Sequence, residues 1–118
     1  MSILTPRLDL IDANITRSTV TLTNSAVTSI LSVAAFNAGE LVGYVSLTAT
    51  ASTRFLIKIQ YSKTAAGTDY NLSYQSSGET PVAGFAVSVT TAGLIQITLP
   101  IVTGFSTATF TYVSSGLI

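Results

Sequence analysis

The chain has no cysteine and no histidine. Without cysteine, no disulfide holds it and no thiol can act as a nucleophile. Without histidine, it lacks the commonest general base and a leading metal ligand. Charge is scarce as well. Five Lys and Arg balance five Asp and Glu, together 8 % of 118 residues, against the ~25 % usual in soluble domains. Five scattered cations make no basic patch, so no nucleic-acid partner is expected. Long apolar runs are missing too. No stretch reaches the ~18 residues of a membrane helix, although the mean hydropathy is +0.58, and no membrane partner is expected. Met1 to Leu10 includes Pro6, Arg7 and Asp9 and has no continuous apolar stretch, so a secretory leader is not expected. Glycine occurs only singly, which leaves no Gly-rich phosphate loop.

What the chain does have is Ser and Thr, 15 and 19 residues or 29 % of the total, beside 47 % apolar residues. Their pattern repeats with a period of two. Phe55, Ile57, Ile59 and Tyr61 alternate with Arg54, Leu56, Lys58 and Gln60, the signature of a half-buried strand with a polar outer face. Tyr70, Leu72 and Tyr74 alternate with Asn71, Ser73 and Gln75; Phe85, Val87 and Val89 with Ala86, Ser88 and Thr90; Ile95, Ile97 and Leu99 with Leu94, Gln96 and Thr98. Phe110 and Tyr112 oppose a ladder of Thr107, Thr109 and Thr111, and Val20 and Leu22 oppose Thr19, Thr21 and Thr23. The run Glu40 to Thr50 sets Leu41, Val45 and Leu47 against Val42 and Tyr44. Val27 to Phe36 fits a strand or a short helix.

Turn residues separate these runs. Ala65 to Asp69 and Thr91 to Gly93 read as hairpin loops, and Ser76 to Pro81 as a longer loop. Seven or eight strands with regular turns, and no sustained helical period, indicate an all-β chain: an antiparallel β-sandwich or jelly-roll-like fold. The length suits one domain. Residues 18–118 form the expected sandwich. Residues 1–17 differ: they hold four of the ten charges, and Ile3, Leu4, Leu8, Leu10 and Ile11 are apolar without clear alternation. That segment is either a first edge strand or an arm that docks on a neighbouring subunit, and those five residues are its candidate interface.

The acids Asp9, Asp12, Glu40, Asp69 and Glu79 do not make a catalytic pair on this pattern. Asp69 and Glu79 fall at opposite ends of one expected strand, whereas glycoside hydrolysis needs two carboxylates facing one bond. Asp69 with Asn71 lacks the repeated acidic spacing of a calcium loop; a turn-forming role suits it better. Ser and Thr are plentiful, but a hydroxyl nucleophile needs a base. No catalytic residue, cofactor or metal is assigned. Tyr70 and Tyr74 share one face and could stack on a sugar, but that face reads as core with hydroxyls at its rim.

The segments Gly43–Val45, Thr53–Ile59, Pro81–Thr90, Ala92–Pro100 and Gly104–Tyr112 together carry a resemblance. In their phrasing of strands and turns, the C-terminal two thirds resemble small β-sandwich domains in virion structural proteins of tailed bacteriophages, found in tail, fibre and capsid-accessory components. The resemblance implies a virion location and a structural role: a decoration or cement protein bridging major capsid subunits, or a tail, fibre, receptor-binding or baseplate-adaptor module. It also implies other virion proteins as partners and a homo-oligomer, a trimer by analogy with phage accessory proteins. Sparse charge suits such packing, since few ions need desolvating.

The alternation assigns Ile57 to the interior and Lys58 to solvent. Ile57→Asp is expected to abolish cooperative thermal unfolding, because it buries an unpaired carboxylate. Lys58→Asp is expected to unfold as the parent chain does. Equal damage from both would overturn the face assignment.

Overall fold

The computed structural model describes residues 15–118. Eight strands make up the fold: β1 (Ile15–Thr21), β2 (Val27–Ser32), β3 (Ala38–Thr48), β4 (Ser52–Lys63), β5 (Tyr70–Gly78), β6 (Ala86–Val89), β7 (Leu94–Thr98) and β8 (Thr107–Leu117). They form two antiparallel sheets of unequal width. The larger has the order β1-β8-β3-β4-β5 and the smaller β2-β7-β6. The chain is a β-sandwich, as its alternation predicts. Rolling up one long hairpin would pair β1 with β8, β2 with β7 and β3 with β6; the first two pairs are present, but β3 lies between β8 and β4 instead.

The interior follows the period of two. Leu41, Val45 and Leu47 of β3, Phe55, Ile57, Ile59 and Tyr61 of β4, and Ala108, Phe110 and Tyr112 of β8 are buried. They face Val87 of β6 and Ile95, Ile97 and Leu99 on and just beyond β7. Among the described residues, every buried side chain in this core is apolar or Tyr, and none is charged. Each large one contributes roughly 1.5–3 kcal/mol by leaving water. Phe55 meets Phe85 edge-on with ring centroids 5.1 Å apart, and Phe110 stacks on Tyr112 at 4.9 Å.

Aromatic residues crowd three glycines. Tyr61 sits across from Gly39 and Tyr112 across from Gly43 in the strand register. A methyl group on either glycine would run into its aromatic neighbour, and Phe36 covers Gly116 in the same way.

Three local readings change. The segment Val27 to Phe36 is a strand only to Ser32, with a bulge between Ser29 and Leu31; beyond it the Phe36 amide turns back to the Val33 carbonyl at 3.0 Å. The expected loop at Ser76 is still strand as far as Gly78, because β4 continues alongside and pairs Ile57 with Ser76, Leu56 with Ser77 and Phe55 with Gly78. Turn-forming residues thus join a ladder where a neighbour offers hydrogen bonds. Third, β1 begins at Ile15, inside the 1–17 segment, and ends at Thr21. The candidate residues Ile3, Leu4, Leu8, Leu10 and Ile11 lie outside the described residues.

Gly43 sits where a side chain has no room: a Cβ there would meet the Thr111 carbonyl and lie 2.6 Å from Tyr112 Cα. Gly67 has open space and only a positive φ of 75°. Gly43→Ala is expected to cost about 3 kcal/mol, the upper end of overpacking, and Gly67→Ala about 1 kcal/mol for its left-handed backbone. Equal losses in urea titrations would contradict the close fit at Gly43.

Candidate interaction surface

The outer face of the five-stranded sheet is open to solvent among the described residues. The register lays its side chains in rows. One row runs Thr19–Thr111–Tyr44–Leu56–Ser77, the next Arg17–Val113–Val42–Lys58–Gln75. An apolar centre of Val42, Leu56, Tyr44 and Val113 therefore sits among hydroxyls and amides. Leu56 is 53 % exposed and Val42 41 %. The rim is ordered: Thr19 and Thr111 hydroxyls meet at 3.1 Å, and the Arg54 guanidinium lies 5.0 Å from the Tyr44 ring centre. Lys58 Nζ approaches Glu40 Oε2 at 3.9 Å, with both side chains half exposed, a pair contributing under about 1 kcal/mol. Alternation held the signal for this patch: Leu56 and Val42 are apolar residues on an otherwise polar face.

A cleft of about 550 Å³ opens at one end of this sheet, bordered by Gly39, Glu40, Gln60, Tyr61, Ser115 and Leu117. It adjoins Ser115, the partner of Ile15, and so lies where the described chain begins. The tyrosines do not assemble into a sugar platform. Tyr44 faces out beneath Arg54, while Tyr61 and Tyr112 are buried in the core. Tyr70 lies 5.8 Å from Lys63 Nζ, and the Tyr74 hydroxyl donates to the Phe85 carbonyl at 3.4 Å.

Of the described acids, Glu40 faces Lys58, and the other two serve the backbone. Asp69 Oδ1 accepts the Tyr70 amide at 2.8 Å, and Glu79 Oε1 accepts the Arg54 amide at 2.9 Å. These two flank β5, which sets them roughly 30 Å apart at ~3.4 Å per residue. Glycosidase carboxylates stand about 5–9.5 Å apart. Among the described residues, no three His, Cys, Asp or Glu cluster as a metal site would need. Asp9 and Asp12 lie outside the described residues.

Among the described residues, one titration is displaced. Burial pushes the Tyr61 phenol above its usual value of 10, and the neighbouring Tyr70 adds to the rise. The folded chain therefore holds this proton more tightly than the unfolded chain. The resulting stability is complete below about pH 10 and is lost as pH rises further. Tyr61→Phe, which has no proton to release, is expected to lose less stability than the parent between about pH 9 and 11. Parallel alkaline unfolding curves would contradict the assignment.

No family model matches the chain, and no curated protein does. Among solved structures it is similar to part of the tailspike protein of Acinetobacter phage vB_ApiP_P1, with a TM-score of 0.60 and 17 % sequence identity. The match covers 87 % of this chain and 21 % of the tailspike. The chain spans about a fifth of that protein's length, and the likeness is one of fold.

Proposed function

We propose that the chain is a non-enzymatic structural module of a tailed-phage virion, placed in the tail or spike apparatus. The observation that carries this reading is the tailspike likeness, which spans 87 % of the chain. The surface supports it. The described acids are engaged locally, and among the described residues the outer face offers contact area. Its apolar centre is small and rimmed by hydroxyls and amides, as protein contact patches are.

In this reading, residues 1–14 supply attachment to other virion proteins, through Ile3, Leu4, Leu8, Leu10 and Ile11. Attachment to the head, as a decoration protein bridging major capsid subunits, would use the same residues. The tail reading takes precedence because the solved neighbour is a tail component. Antibody labelling of intact particles by electron microscopy separates the two. Label at the tail supports the proposal, and label over the capsid faces replaces it with decoration.

Deleting Met1 to Asp12 leaves every described strand in place, β1 being described from Ile15, and with it all of the described core. The shortened chain is expected to unfold cooperatively, within about 1 kcal/mol of the parent, and to fail to sediment with particles lacking the native protein. Loss of cooperative unfolding would make the segment part of the core and overturn its attachment role.

A further inference from the structure

We infer that the chain pairs with a second copy of itself along the free edge of β5, fusing two five-stranded sheets into one. Among the described residues, four strands bound the two sheets: β1, β5, β2 and β6. Exposed edges invite pairing, and proteins blunt them with charge, bulges or short length. β1 carries Arg17. β2 is broken by its bulge between Ser29 and Leu31. β6 is only 4 residues long. β5 has none of these devices. Its 9 residues, Tyr70–Gly78, include no charge and no proline, and its register with β4 is unbroken. Among the described residues its ladder bonds run to β4 alone.

The strand is its own complement. A two-fold contact sets one surface against itself; β5 brings no charge to it, and the acids just beyond its ends, Asp69 and Glu79, accept the Tyr70 and Arg54 amides. Antiparallel pairing about Tyr74 places Ser73 across from Gln75, Asn71 across from Ser77, and Tyr74 across from Tyr74. Tyr74 is 37 % exposed at the strand's centre, and the pairing gives it a cross-strand aromatic partner. Two cations of β4 stand beside β5: Lys63, across from Tyr70 at one end of the strand, and Lys58, across from Gln75 near its centre. The two Lys58 residues would stand three strand spacings apart, roughly 14 Å, beyond the ~10 Å over which exposed charges interact. The inference stands apart from where on a particle the chain sits, and it sets a two-fold pair in place of the trimer that the resemblance implies.

The test uses the full chain and two variants, N71K/S77K and N71E/S77E. Both positions are exposed, and in the inferred register each new charge faces its like. Light scattering is expected to give the mass of two 12.2 kDa chains for the parent and of one chain for each variant. Mixing the two variants is expected to restore the pair, because Lys then faces Glu. A parent mass of one chain or of three, a pair that survives the lysines, or variants that stay single when mixed would each overturn the inference. Hydrogen exchange on the parent gives a reading that does not depend on variant folding. β5 amides are expected to exchange about tenfold slower in the concentrated sample than in the dilute one, and rates that ignore dilution would overturn the pairing.

Discussion

The dry contact between two sheets of unequal width governs this structure. A five-stranded layer must bury its inner face under a layer of only three strands, so the central strands carry the load. Ile95 and Ile97 of β7 lie fully buried against Leu41, Val45, Ile59 and Phe110. Wherever the chain passes between layers, a side chain or carbonyl closes the join. Asn24 Oδ1 accepts the Val102 amide at 2.9 Å, and the Ser25 amide donates to the Pro100 carbonyl at 3.2 Å. Backbone groups at the sandwich ends are thus satisfied where the ladders stop.

How much of this was legible in the sequence depended on whether the information was local. The inner faces of β4, β7 and β8 read directly from Phe55–Ile57–Ile59–Tyr61, Ile95–Ile97–Leu99 and Phe110–Tyr112, because burial on one side writes a period of two into the chain. The end of β5 did not: Ser76, Ser77 and Gly78 look like a loop, and only the partner strand holds them extended. Strand order was illegible for the same reason, since alternation states which side is buried and not which strand lies alongside. Of the site, the apolar centre of the outer face was visible as Leu56 among Arg54, Lys58 and Gln60. The vulnerability of the β5 edge emerged only once it was known to lie at the boundary of its sheet.

A surface with so few charges relies on contact rather than on fields. Exposed ion pairs are weak and salt-sensitive, and the single described pair, Lys58 with Glu40, is long at 3.9 Å. Recognition by such a module rests on backbone edges, hydroxyl rows and small apolar areas. Those contacts depend little on ionic strength.

The tyrosines packed against glycines have a further consequence for assembly of the sheet. Alternating polarity punishes a slip of one residue, since every side chain changes face. It is blind to a slip of two, which returns each residue to its proper side. Gly39 beneath Tyr61 and Gly43 beneath Tyr112 remove that blindness. Moving β3 by two positions would thrust Leu41 or Val45 into space that fits only a bare backbone, against the Tyr61 phenol at one position and the Thr111 carbonyl and Tyr112 Cα at the other. The glycines thus act as notches in the central strand, and the tyrosines of its two neighbours are the teeth that find them.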